Sequence, residues 1–345
     1  MKQAYRVFLS CAVAAALALT GCGRNNNAGS GSSSMNMSSS VGSSSSSGSQ
    51  TAAWRTGLGI LTETTGEQRT GKIDTVAAAV LLDEEGRLER VQLDELELTV
   101  SGEGSGEVNL PSDYRTKRQK GDDYPLAAVS SLHRGWTEQA DAFGKYLTGK
   151  TLDEVKALKT DDDGKPVDAD LLSGCTIAVD SYRDAVVRAC ENAKALGAAK
   201  GDQVALGMEA SNGTAGGTAT DDKNMNAQID TTIVALTTDR EGHVTSAIGD
   251  MTQPALTISA DGSVAAPEKV QSKLEMGDSY GMRKASSLDK EWFEHSEGYC
   301  SYLKGKTAAE IAAIPADGSD ADLAALCTIS ITDLQKATLA ALETE

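Results

Sequence analysis

Hydrophobic and polar positions along the chain fall into a cycle that runs twice. The first cycle opens on a glycine-bearing stretch, RTGLGI from Arg55, and continues with two apolar runs, KIDTVAAAVLLD and RLERVQLDELELTV, separated by Asp83-Glu84-Glu85-Gly86. The second opens on VALGM and continues with QIDTTIVALTTD and HVTSAIGD, separated by Asp239-Arg240-Glu241-Gly242. Branched, alternating residues on either side of a D-x-x-G turn predict a β-hairpin in each cycle. A Gly/Ser/Pro-bearing stretch follows, SGEGSGEVNLPSDY or SADGSVAAPEKV, and reads as variable connection. Trp136, Ala140, Phe143 and Leu147 then recur at helical spacing, as do Trp292, Ser296, Tyr299 and Leu303, which predicts one amphipathic helix per cycle. Gly149 and Gly305 stand where a helix C-cap favours glycine. Thr151 with Glu154, and Thr307 with Glu310, have the spacing of capping boxes that start a second short helix. Each cycle closes on an apolar run, CTIAVD or CTISIT, expected to be a strand, and a final helix.

The two cycles share residues as well as pattern. Lys117, Gly121, Asp122, Tyr124, Ser130, Ser131, Trp136 and Tyr146 recur as Lys273, Gly277, Asp278, Tyr280, Ser286, Ser287, Trp292 and Tyr302, all at an offset of 156. Ile73, Asp74 and Thr75 match Ile229, Asp230 and Thr231 at the same offset. This is the signature of a duplicated domain, with copies at residues 53–200 and 201–345. The predicted fold class is α+β: two tandem copies of a small domain, each an antiparallel sheet built from a β-hairpin plus a later strand and packed by helices.

Residues 1–21 read as an export signal, with Lys2 and Arg6 ahead of a short apolar run. The run closes on Leu19-Thr20-Gly21-Cys22, which resembles the lipobox of bacterial lipoproteins. That resemblance implies cleavage before Cys22, lipid on its sulfur, and an extracytoplasmic, membrane-anchored protein. Residues 22–52, rich in Ser, Gly and Asn, have almost nothing apolar to bury and are expected to be a disordered tether.

Composition narrows the partners. The net charge is −18, so the chain repels phosphate backbones and nucleic acid is not an expected partner. Aromatic residues make up only 4% of the chain, which predicts a small core in each copy. Of six cysteines, Cys11 leaves with the signal and Cys22 is the lipid site; Cys175 and Cys327 match between the copies, whereas Cys190 and Cys300 do not match each other. A shared bridge needs two shared cysteines per copy, so small buried thiols are expected rather than a disulfide framework.

The candidate pocket is the repeated polar and aromatic set: Lys117, Asp122, Tyr124, Ser130 and Trp136, with Lys273, Asp278, Tyr280, Ser286 and Trp292. A tight turn before a capped helix explains the same Gly-Asp and serine residues without a ligand, and both readings stand at this stage. The two tryptophans serve equally as helix-face core. Histidines 133, 243 and 295 align with Asp289, Arg87 and Gln139, so no imidazole is common to both copies and a twice-built Ser-His-Asp hydrolase is disfavoured. The acidic run at Asp161, Asp162 and Asp163 has Lys159 at the first EF-hand ligand position, so it reads as a solvated loop and no metal site is assigned.

The stretch SGCTIAVDSYRDAVVRACENA, Ser173 to Ala193, resembles the S-G-A-T segment and following helix of FMN-binding domains, extracytoplasmic modules that carry flavin on that threonine. The resemblance implies Ser173, Gly174 and Thr176, with Thr328 in the second copy, as cofactor-binding residues for FMN and a role in envelope electron transfer. Cys175 stands in place of the alanine, and the second copy reads Ala325-Leu326-Cys327-Thr328. The reading from sequence is a lipid-anchored extracytoplasmic binding protein, with FMN as one ligand class and a cofactor-free solute-binding, adhesion or scaffold lipoprotein as the alternative.

Overall fold

The computed structural model describes residues 53–214 and 216–343. The expected export signal, Cys22 and the expected tether lie outside the described residues.

Three long strands open the first half: β1 (Arg55–Glu67), β2 (Thr70–Leu82) and β3 (Leu88–Gly102), with β4 (Val108–Asn109) short. They form one antiparallel sheet in the order β1-β2-β3-β4. Five helices follow: α1 (Lys117–Lys120), α2 (Trp136–Leu147), α3 (Leu152–Lys156), α4 (Ala169–Leu172) and α5 (Asp180–Glu191). The second half runs β5 (Gln203–Asn212), β6 (Met225–Thr238), β7 (Val244–Thr252), β8 (Ala255–Ile258) and β9 (Val264–Ala265). It closes with α6 (Lys273–Met276), α7 (Trp292–Tyr302), α8 (Ala308–Ala312), α9 (Ala321–Ala324) and α10 (Thr332–Glu343). β6 pairs with β5, β7 and β8, giving five strands where the first half has four. The extra strand is β3 cut in two. Pro254 has no N–H to give the ladder, and β7 and β8 flank it.

Sequence pattern accounts for the turns. Asp83 Oδ1 accepts from the backbone N–H of Glu85 and Arg87, and Gly86 takes φ +80°. Asp239 does the same for Glu241 and His243, with Gly242 also at φ +80°. The capping boxes at Thr151 and Thr307 are both formed. Two expectations fail. The stretch read as variable connection makes a further hairpin, β3 to β4, turning at Gly106 with φ +80°. CTIAVD and CTISIT are not strands. Their apolar side chains Cys175 and Val179 are buried under the helices, and their amides are taken locally, Cys175 N–H by Leu171 O at 2.8 Å and Val179 N–H by Gly164 O at 2.7 Å.

The layers are helix, sheet, sheet, helix. Side chains on β2 alternate: Val76, Ala78, Val80 and Leu82 face α2 and α5, while Ile73, Ala77 and Ala79 face the other sheet. In β6, Val234 and Leu236 face the helices, and Ile229, Ile233 and Ala235 meet the first sheet. The expectation of one small core per copy is therefore corrected. Two helix-to-sheet cores flank a third, to which both halves contribute, and the described residues make one compact unit. With both faces covered, the central strands read as near-continuous apolar runs. The opening glycines let helix backbone approach strand backbone. A Cβ on Gly59 would lie 2.0 Å from Ala185 O, and one on Gly207 would lie 1.9 Å from Ala337 O.

Residues 53–200 produced alone would expose the face carrying Leu58, Ile60, Ile73, Leu96 and Leu98. That half is expected to aggregate or self-associate, and residues 53–345 to unfold in urea as one transition; two independent transitions would contradict the shared core. Ile233→Ala should lower the unfolding free energy by about 2–5 kcal/mol.

Candidate functional site

The repeated residues do not form one pocket; the structure sorts them into two networks per half. In the first, Lys117 is buried at the start of α1, with its ammonium 2.7 Å from Glu95 Oε2 and 2.8 Å from Glu97 Oε1. The same ammonium lies 5.0 Å from the Tyr124 ring centre and 5.9 Å from that of Trp136. Tyr182, from α5, donates its hydroxyl to Glu95 and accepts from Trp136 Nε1 at 2.9 Å, and Tyr124 donates to Glu97 at 3.2 Å. Strand β3 and helices α1, α2 and α5 are thus tied at one buried cation. Asp122 is exposed, and so is Ser131.

The second half keeps the cation and the rings and drops the counter-ions. Lys273 is buried, 4.7 Å from the Tyr280 ring centre and 5.0 Å from that of Trp292. Met251, Gln253 and Leu334 stand where the first half has Glu95, Glu97 and Tyr182. Asp278 is exposed and pairs with Arg283 at 2.8 Å.

Ser130 and Ser286 belong to the second network. Ser130 Oγ accepts from Gln139 Nε2 at 3.0 Å, while Gln139 Oε1 accepts the backbone N–H of Thr176 at 2.9 Å. In the other half His295 replaces the glutamine: its Nε2 is 2.8 Å from Ser286 Oγ and its Nδ1 accepts the backbone N–H of Thr328 at 3.2 Å. Because Nδ1 accepts, the proton of the neutral ring sits on Nε2, and the imidazole donates to Ser286. An imidazole in this tautomer cannot take the serine proton, so the pair is not an activated nucleophile. Burial, foremost, holds the His295 pKa below its ordinary value and keeps the ring neutral.

The same contacts bear on a flavin phosphate. Around Ser173-Gly174-Cys175-Thr176 the backbone N–H groups go to Ala169 O, Leu171 O, Leu171 O and Gln139 Oε1. A phosphate cradle needs free N–H groups, so these residues do not fit one. Thr176 is half-buried with its hydroxyl 3.1 Å from Gln139 Oε1. Thr328 is exposed beside a hollow of about 220 Å³, smaller than the ~300–1,000 Å³ of small-molecule sites.

Sequence reasoning missed a pair of buried carboxylates. Asp94 Oδ1 accepts from the backbone N–H of Glu95 at 2.8 Å and of Arg118 at 3.1 Å; Asp250 accepts from Met251 at 2.7 Å and Leu274 at 2.9 Å. Each pins a short helix to a strand edge. The available signal was an aspartate at the shared offset inside an apolar run. Burial raises both, Asp250 to about 6. Burial also raises Glu95 to about 7, against the pull of Lys117, and Asp74 to about 6.

Cys175, Cys190, Cys300 and Cys327 are free and buried, as expected, and burial raises every thiol, that of Cys175 to about 11. Asp161 Oδ1 accepts from Asp163 and Lys165 N–H, so the acidic run is a turn like those at Asp83 and Asp239. Among the described residues the one group with metal-ligand proximity is Asp239, Glu241 and His243, which is the hairpin turn itself.

A cleft of about 440 Å³ lies where the chain leaving α5 crosses β7 and α7. Ala247, Ile248 and Leu274 are among its apolar lining, Cys300 and Ser301 come from α7, and Lys194, Glu297 and Lys304 are its charged groups. A second lobe of about 460 Å³, reaching Leu58 and Phe293, shares Lys194, Ile248, Leu274 and Glu297 with it. The matching place in the first half is lined by charged and polar groups, Arg90, Gln92, Arg118, Asp141 and Lys145 among them. There Arg118 donates to Leu93 O at 3.0 Å and pairs with Asp141 at 2.7 Å, spanning the groove. Leu274 replaces Arg118 in the second half and can make neither bond. Comparison of the chain with protein-family models, curated proteins and solved structures returns no match.

His295→Gln, which installs the first half's own solution, should leave stability within about 1 kcal/mol, whereas His295→Ala should cost about 2–3 kcal/mol by orphaning buried partners. Urea unfolding decides; equal losses would show that the ring is there for bulk. Glu95, Asp74 and Asp250 have folded pKa values above their unfolded ones, so the folded state binds more protons between about pH 4 and 7. Their stabilisation is full below pH 4 and is lost as pH rises through 6 to 7, each tenfold gain in proton affinity on folding being worth on the order of 1.4 kcal/mol. Glu95→Gln should flatten the fall in unfolding free energy between pH 5 and 8; an unchanged slope would place its origin elsewhere.

Proposed function

We propose that the chain is a bacterial surface lipoprotein, anchored by lipid on Cys22 and held off the membrane by residues 22–52. Its two halves descend from one small α+β domain by duplication, and it binds a small ligand without turning it over. Common origin is supported by element bounds that recur at the residue offset: β4 and β9, α1 and α6, α3 and α8 each differ by 156 at both ends. The observation that carries the binding role is the cleft beside Lys304, about 440 Å³ with Ala247, Ile248 and Leu274 in its lining, whereas its first-half counterpart, a hollow of about 340 Å³, is lined mostly by charged and polar groups and crossed by Arg118. Duplication frees one copy to change while the other keeps the scaffold.

The role proposed is cofactor-free, since the Ser173–Thr176 backbone has no donor to spare for a phosphate. Protein purified from its host should be colourless and show no flavin mass on Thr176 or Thr328. A flavin spectrum lost on Thr176→Ala would replace this reading by envelope electron transfer. Anchoring has its own test: wild-type chain should fractionate with membranes and carry a lipid mass on its N-terminal peptide, and Cys22→Ser should lose both. Soluble wild-type protein would remove the anchor.

A further inference from the structure

We propose that the cleft takes an apolar carboxylic acid, its chain lying over Ile248 and Leu274 and its carboxylate on the Lys304 ammonium. The inference rests on the binding role above and adds the class of ligand and its orientation.

Three observations lead to it. Aliphatic side chains form the floor, and Ile248 and Leu274 belong to both lobes, so a chain that follows the floor from one lobe to the next stays on apolar surface. Withdrawal of that surface from water is the driving term, ~0.8 kcal/mol per buried methylene. The charges at the rim are not balanced. Lys194 is neutralised by Glu297 at 2.8 Å, and Glu191, at the far lobe, by Lys156 at 2.6 Å. Lys304 has no carboxylate within ion-pair distance among the described residues. Its ammonium donates to Leu196 O at 2.8 Å, which positions it at the cleft and leaves two of its three protons for a ligand. A carboxylate there gains a charge-assisted bond next to low-dielectric walls.

The first half shows a polar version of the same groove, about 340 Å³ in volume. Its groove is bridged by an internal cation, Arg118, bonded to the strand carbonyl of Leu93 and to Asp141 on α2. The second half keeps the acid, as Glu297, and the strand carbonyl, of Gly249, but not the arginine. Leu274→Arg therefore puts a charged side chain on the apolar floor, where the first half carries Arg118.

The test uses residues 53–345, the compact unit, titrated with decanoate, with decanol and with the anionic aromatic dye 1-anilinonaphthalene-8-sulfonate. Decanoate should bind roughly tenfold or more tightly than decanol, the worth of one extra ion pair. Lys304→Gln should erase that difference without abolishing decanol binding. Leu274→Arg should abolish both while the melting temperature holds. Should that variant misfold, Ala195→Trp blocks the opening from an exposed position. Equal binding of acid and alcohol, or binding untouched by either blocking variant, overturns this assignment and leaves the binding role standing. If none of the three probes binds, the binding role falls with it.

Discussion

Burial of two sheet faces against each other is the constraint on which the rest of this molecule depends. Ile73, Ala77 and Ala79 meet a second sheet whose Ile229, Ile233 and Ala235 occupy the matching positions, so neither sheet can change its inner face alone. Each outer face is then obliged to take helices, and the strands in the middle of the molecule have no wet side. A helix lies close enough to β1 only because Gly59 has no Cβ, and close enough to β5 only because Gly207 has none. Small cores, enforced by few aromatic residues, become sufficient when three of them are stacked.

Freedom to diverge is left on the outer side of each sheet. There the same mechanical task is met with different chemistry. Gln139 and His295 each present one acceptor to a backbone N–H and one donor to a serine hydroxyl, and each fixes the start of the run after a short helix to the main helix. His133 and Asp289 are likewise equivalent in use, since both adopt a left-handed conformation, at φ +53° and +54°. Substitutions that look unrelated in one dimension answer the same local demand.

Patterns carried by short-range physics were legible in the sequence. The D-x-x-G turns, the capping boxes and the Trp136 helix face are settled within a dozen residues, and these match the structure. Demands from the rest of the fold were not legible. CTIAVD alternates as a strand should, yet its Cys175 and Val179 side chains satisfy their burial beneath the helices instead. Lys117, Tyr124 and Trp136 were recognisable as a set, but Glu95, Glu97 and Tyr182, which complete it, are not repeated in the second half and so gave no signal in a repeat comparison. The cleft was not legible for the opposite reason: its apolar floor depends on a leucine where the first half has an arginine, and that difference leaves no motif.

The two halves differ in how far they satisfy themselves. The first pairs its buried cation with two carboxylates and crosses its surface groove with an arginine-acid bridge. Removing one partner of a buried pair ordinarily costs about 3–5 kcal/mol, because a charge is left without compensation. The second half has no carboxylate in place of either partner at Lys273, and the faces of Tyr280 and Trp292 supply part of the attraction there. It also has a leucine, Leu274, where the first half's groove is crossed by Arg118. Both differences lie on the outer side, away from the shared core, and both leave the second half with less internal pairing than the first. The fold can carry that imbalance because the stacked sheets, not the outer networks, hold the halves together.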